Sequence, residues 1–367
     1  MSKASDLIVS DRILRKGRGA LSNHRSRYQP TTTSWQDGIE HSSPDTQCRA
    51  TDVKSIITRN TSPDIPFTQS INPYQGCEHG CIYCYARPTH AYHDLSPGID
   101  FETQLTYKRN AAQQLQRELA KPDYKCSIIA LGANTDPYQP VEKTLQITRQ
   151  ILEVLHKQRH PVSIITKGAL IRRDIDLLAE MAVLGLCSVA ISVTTLDDGL
   201  KRVLEPRASS GHTRLQLIEE LSNAGIPVTV LVAPVIPALN DKEMETILAS
   251  AKEAGAQAAS YILLRLPLEI RDLFVEWLKV HFPLRAEHVM SLVRQSRGGA
   301  DYDSRFRHRM RGTGPFAAVL AQRFASACKR LGLNAGEARY NTRTDLFNAP
   351  AMPATLPAAD RGQLLLF

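Results

Sequence analysis

Aromatic residues are scarce in this chain, at 6% of 367 residues with two tryptophans. They interleave thinly with the basic stretches, so a base-stacking platform for nucleic acid is not indicated. No apolar run approaches the length of a membrane-spanning helix. The N-terminal Met-Ser-Lys-Ala-Ser-Asp lacks the apolar segment of a signal peptide. The expectation is a cytoplasmic protein without membrane contact. Seven cysteines, an odd number in a long chain, argue against a disulfide framework. No Ser–His–Asp arrangement, phosphate-cradling glycine loop or second cysteine cluster is visible.

Three of the cysteines crowd into one loop, Asn72-Pro-Tyr-Gln-Gly-Cys77-Glu-His-Gly-Cys81-Ile-Tyr-Cys84-Tyr-Ala-Arg87. Thiolates suit iron–sulfur clusters or zinc. Zinc would need a fourth ligand such as His79, His90 or His93. However, zinc modules commonly pair two short-spaced ligand couples, and here three thiols fall within eight residues. A closed [4Fe–4S] cluster would need a fourth nearby thiolate, and Cys48, Cys126, Cys187 and Cys328 are remote. Three ligands leave one position open for chemistry. Cys126 and Cys187 sit at the starts of apolar runs and read as small buried hydrophobes.

The hydrophobic fraction of 43% permits a substantial core, and the net charge is +8. Arginines concentrate in Arg12–Arg27 and Arg294–Arg311. Such stretches are either solvated flanks or contacts for phosphates. Residues 1–60 read as irregular and Gln104–Ala120 as helical. Short apolar runs of strand length lie at 67–72, 126–131, 161–166, 187–193, 227–233 and 259–264. Helical patterns at 141–157, 172–184, 213–224, 242–254 and 269–281 follow the last five. Strands alternating with helices indicate a parallel sheet. Six units are too few for a closed eight-fold barrel, and the pattern fits either a barrel-like fold or a doubly wound open sheet. Further helices are expected near His288 and over 315–331, and an extended tail over 348–359. In parallel α/β folds the carboxyl ends of the strands carry the chemistry. Asp136 and Glu142 could bind substrate or brace a loop there, Glu205 and Arg207 could pair, and His79 could face a cluster or solvent.

The spacing Cys77-x3-Cys81-x2-Cys84, with Tyr83 before the last cysteine, resembles the signature of the radical S-adenosylmethionine (SAM) superfamily. Gly132-Ala-Asn-Thr-Asp136, Thr166-Lys167, Ser192-Val-Thr-Thr195, Leu204-Glu-Pro206 and Ala233-Pro-Val-Ile-Pro237 resemble its spore photoproduct lyase-like branch. Lys16-Gly-Arg-Gly-Ala20 and Ser62-Pro-Asp-Ile-Pro66 resemble a bacterial subgroup of that branch. The resemblance implies a partial (β/α)6 TIM-like barrel over residues 63–283, with an irregular basic extension over 1–62 and a helical, arginine-rich one over 284–367. It implies an oxygen-sensitive [4Fe–4S] cluster on Cys77, Cys81 and Cys84. One-electron reduction, by a donor such as flavodoxin or ferredoxin, would cleave SAM to methionine and a 5′-deoxyadenosyl radical. Tyr83, Thr135, Lys167 and Ser192 are the implied SAM contacts. Tyr85 and Asp136 are the catalytic candidates, Tyr85 as a radical relay. DNA or RNA is the expected substrate class. A cysteine that the repair lyase carries between the positions of Gly132 and Asp136 is absent, so the fate of the radical is expected to differ. The rival reading is a zinc-stabilised, non-catalytic nucleic-acid-binding protein.

Overall fold

The computed structural model describes residues 15–28, 45–335 and 342–351. Two sheets organise them. The larger has seven strands: β2 (Thr58–Arg59), β3 (Gln69–Ile71), β6 (Ile129–Leu131), β7 (Val162–Thr166), β8 (Cys187–Ser192), β9 (Val228–Val235) and β10 (Ala258–Leu263). From β3 to β10 the six neighbours are parallel and lie in sequence order, and β2 adds an antiparallel edge. A doubly wound sheet would reverse its strand order at a switch point. This order does not reverse and does not close, so the fold is a partial barrel. The smaller sheet joins β1 (Gln47–Thr51), β4 (Tyr74–Gln75) and β5 (Gln104–Lys108) in the order β1–β5–β4.

The strands form because their apolar runs are buried on both faces. In β9 the residues at 228, 230, 232, 234 and 235 are buried and those between are half-buried. Helices 147–157, 175–183, 211–223 and 244–253 return the chain between strands and bury Ile151, Leu178, Leu217 and Ile247 against the sheet. Each such side chain contributes roughly 1.5–3 kcal/mol. The long helix Gly314–Leu331 packs on the last strand, with the Phe324 and Tyr261 rings 4.8 Å apart. Among the described residues no helix is long and apolar enough to cross a membrane.

Several expectations need correction. Residues 45–60 are not wholly irregular, because Gln47–Thr51 pairs with distant β5 and Thr58–Arg59 with β3. The segment expected to be one helix over 104–120 divides. Gln104–Lys108 is a strand with Leu105 buried, and only Ala111–Leu119 is helical. Its alternating polar and apolar residues satisfy a strand once partners exist on both sides. The helix over 141–157 breaks at Gln146, whose φ is +52°. An unexpected helix, Asp198–Leu204, is capped by the Asp197 carboxylate, which accepts from the amides of Gly199 and Leu200. The tail is described only to residue 351, so most of the stretch expected to be extended lies outside the described residues.

Candidate functional site

The cysteine loop leaves β4 and lies across the carboxyl ends of the strands. There a cavity of about 990 Å³, open mouth included, is lined by all three cysteines and by residues in or just past the carboxyl-terminal parts of β6 to β10. Cys77, Cys81, Tyr83, Cys84, Tyr85, Thr135, Asp136, Lys167 and Ser192 all reach it. The expected site residues are therefore brought together.

Residues far away in sequence hold the loop in place. Arg87, fully buried, donates from Nε to the Cys81 carbonyl at 2.9 Å and from Nη1 to the carbonyls of Pro97 and Gly98. Its Nη2 pairs with Glu102 Oε1 at 2.5 Å. The same carboxylate accepts from the amides of Gly19 (3.0 Å) and Ala20 (2.8 Å), which clamps the N-terminal segment onto the loop. A Cβ at Gly19 would sit 1.8 Å from the Gly80 carbonyl, so only glycine permits this approach. Gly132, with φ at +86°, allows the chain leaving β6 to pass the Ile165 carbonyl. Sequence reasoning missed Arg87 and Glu102. Their signal was the resemblance around Lys16–Ala20, which carries no physical partner until the fold supplies one.

The thiols are buried or nearly so. Burial pushes Cys77 well above the ordinary thiol range, with Asp136 and the other two thiols adding to the shift. Cys81 is pushed up to about 12, mainly by burial and against the pull of Lys167. Cys84 shifts the same way for the same reason. Buried thiolates need a cation beside them. No three His, Cys, Asp or Glu side chains among the described residues converge as one metal ion requires. Three soft thiolates lining one cavity are a donor set that fits an iron–sulfur cluster.

Burial alone would depress Lys167, yet Cys81 and Glu205 hold its ammonium above the usual lysine range. Thr135 Oγ1 donates to the Tyr74 carbonyl at 2.7 Å, and Ser192 Oγ to the Ala233 carbonyl at 3.0 Å. Both oxygens keep lone pairs for accepting. The Tyr83 hydroxyl is spent on Glu205, so that side chain offers the cavity only its ring. Tyr85 is half-exposed at the mouth and donates to the Ala133 carbonyl.

Asp136 braces its own loop. Oδ1 accepts from Thr166 Oγ1 (2.6 Å) and the Tyr138 amide (2.9 Å), and Oδ2 from the Lys167 amide (2.9 Å). Oδ2 also lies 3.4 Å from His79 Nδ1, a buried atom without a hydrogen bond of ordinary geometry. His79 is thus not a solvated loop histidine. Glu142 is fully buried and also braces, accepting from Tyr74, Thr148 and Arg173. The pair expected between Glu205 and Arg207 does not form. Glu205 pairs with buried Arg214, and Arg207 with Glu78. Burial opposes the Glu205 charge, but Arg214 and Lys167 hold its carboxyl down to about 2.

The two basic stretches are largely consumed internally. Arg18 donates to the Glu102 carbonyl, Arg27 pairs with Glu269, Arg294 with Asp301, Arg305 with Asp303, and Arg309 with Asp64. Much of the charge in both stretches is thus paired within the chain, while Arg305 stays largely exposed. Arg12 lies outside the described residues. Of the remaining cysteines, Cys187 is buried and donates to the Leu178 carbonyl, whereas Cys126 is only half-buried and not the core residue expected.

The sequence profile of the Radical SAM superfamily matches residues 71–251. An uncharacterised protein of Mycobacterium tuberculosis is 39% identical over 233 residues, 63% of this chain and 68% of that protein. An uncharacterised protein of Methanocaldococcus jannaschii is 30% identical over 173 residues, 47% of this chain and 62% of that protein. A mutant of spore photoproduct lyase superposes with a TM-score of 0.56 at 14% identity, covering 78% of this chain and 80% of the lyase. A likeness at that identity is one of fold. The family implies SAM and a [4Fe–4S] cluster. The profile match makes this chain a member of the radical SAM superfamily and a radical SAM enzyme.

Proposed function

We propose that Cys77, Cys81 and Cys84 hold a [4Fe–4S] cluster and that the cavity beside them takes SAM. The observation that carries this reading is one cavity lined by three thiols and by Thr135, Lys167 and Ser192 from three successive strand ends. When bound, cluster and SAM supply a 5′-deoxyadenosyl radical after one-electron reduction by an external donor such as flavodoxin or ferredoxin.

The chain's own residues bind, orient and enclose. Lys167 offers a compact positive charge to the carboxylate of SAM. Thr135 and Ser192 have already donated their protons to backbone, so they accept from the SAM ammonium or ribose hydroxyls. The Tyr83 ring closes one wall, and the Glu205–Arg214 pair fixes its position. Asp136 keeps the Lys167 amide and the loop after β6 in register. These contacts exclude water from the reacting centre. Tyr85 lines the cavity and is partly exposed, which supports reading it as a relay.

Anaerobic reconstitution tests the reading. It should give about four iron and four sulfide per chain, a reducible cluster, and 5′-deoxyadenosine from SAM with dithionite. Zinc alone, with no SAM cleavage, would overturn it. The likeness in fold to spore photoproduct lyase, solved with a dinucleoside spore photoproduct, favours a nucleic-acid substrate, whereas the internal pairing of the arginines does not. Gel shifts across a salt series decide, since phosphate contacts make affinity fall steeply with salt.

A further inference from the structure

We propose that Arg265 anchors a negatively charged substrate, its guanidinium taking the carboxylate or phosphate of the molecule that enters beside Tyr85. The proposal rests on the reading of the cavity as a SAM site and adds the class of its second ligand.

Arg265 stands two residues past the sixth parallel strand and lines the cavity. Three buried arginines, Arg87, Arg214 and Arg297, show what satisfaction looks like here. Arg87 has Glu102 and three carbonyls, Arg214 has Glu205 and two carbonyls, and Arg297 has the carbonyls of Leu263, Leu264 and His308. Arg265 has none of these. Its Nε is buried without a hydrogen-bond partner. Its Nη1 and Nη2 reach only Met310 Sδ and Tyr302 Oη, each at 3.5 Å. Thioether sulfur is a weak acceptor. Among the described residues no carboxylate forms an ion pair with it.

Burying a charged donor without an acceptor is unfavourable, and native structures rarely leave one so. The cavity is where the missing acceptor has room. Tyr85 holds the guanidinium by its ring, 5.4 Å away, which orients the group without using its N–H donors. Arg297 lies close by, its guanidinium lowered to about 10 mainly by burial and then by Arg265, while Asp303 pulls the other way. An oxyanion would satisfy the empty donors of Arg265.

SAM brings one carboxylate, and Lys167 is the cation set against Cys81 and Glu205. Arg265 follows the sixth strand and Lys167 the third, so the two positive charges enter the cavity from different strands. The natural division gives Lys167 to SAM and Arg265 to the substrate.

Calorimetric titration of the reconstituted enzyme with SAM bound tests this, using inorganic phosphate and acetate as separate probes at low ionic strength. One or both should bind saturably to the wild type. Arg265→Gln should weaken that binding about tenfold or more, and Arg265→Lys should restore part of it. SAM affinity should stay within about twofold in both variants. The stronger probe separates a phosphate-bearing substrate from a carboxylate-bearing one. Absent anion binding, or equal binding in wild type and Arg265→Gln, would overturn the proposal. So would a parallel loss of SAM affinity, which would assign Arg265 to SAM. A wild type that takes up no iron or SAM would overturn the underlying reading instead, and anion titration of that same protein would still answer separately.

Discussion

The two ends of the parallel strands bury very different chemistry. At the carboxyl ends lie three thiols and charged groups that are almost all paired, among them Asp136, Glu205 and Arg214. At the amino ends lie Cys126, Cys187 and a neutral aromatic cluster in which His160 packs against Tyr124 and Phe347. Cysteines thus lie at both ends of the larger sheet, and only one set is gathered around a cavity. Position relative to strand direction separates the cavity-lining cysteines from the others, and residue type does not.

The sharpest way to break this comparison is to exchange the roles of its cysteines. Replacing Cys77, Cys81 or Cys84 by Ala should abolish bound iron and 5′-deoxyadenosine formation. Replacing Cys126 or Cys187 should leave both within about twofold, because neither reaches the cavity. Iron and sulfide analysis with product chromatography measures this. Equal losses in both sets would end the distinction.

The next effect concerns buried charge. Glu102→Ala leaves Arg87 fully buried without its partner, which costs about 3–5 kcal/mol. It also frees the Gly19 and Ala20 amides. Denaturant unfolding should show the loss, and iron content should fall with it, because Arg87 holds the Cys81 carbonyl. A Glu102→Ala protein with wild-type stability would mean that this end does not depend on pairing.

How much of this was legible beforehand follows the same division. The cysteine loop was readable because its ligands are local, and the six strands because runs such as Val228–Ala233 are apolar enough to declare themselves. β5 was not, since Gln104–Lys108 becomes a strand only when β1 and β4 flank it. Nor were the ion pairs. Glu205 and Arg207 lie only two residues apart, yet the fold delivers Arg214 to Glu205 instead, from a helix beginning at Gly211. Arg87 and Glu102 lie fifteen residues apart, a separation with no recurring meaning. Spacing reports chemistry held within one loop and is silent about partners that a fold assembles.

A smaller effect probes the neutral end through pH. Burial pulls His160 down to about 4, from an unfolded value near 6.5. Between those values the unfolded chain binds a proton that the folded chain refuses. The stability from keeping His160 neutral is therefore complete above pH 6.5 and drains away as pH falls toward 4, by up to about 3 kcal/mol. Urea midpoints at pH 7.5 and pH 5 should converge less in wild type than in His160→Gln, which has no proton to gain. Identical pH slopes in the two proteins would show that His160 titrates in place.

The smallest effect separates the two cysteines at that end from each other. Cys187 is buried at the start of β8, with its thiol donating to the Leu178 carbonyl at 3.1 Å, so Cys187→Ala removes packing and a weak hydrogen bond. A loss of about 1 kcal/mol is expected. Cys126 is half-buried just before β6, and Cys126→Ala should stay within about 0.5 kcal/mol. Thermal unfolding resolves the difference. If Cys126 proved the costlier of the two, packing would not rank these thiols, and the amino end would need a role of its own rather than that of a neutral counterpart to the site.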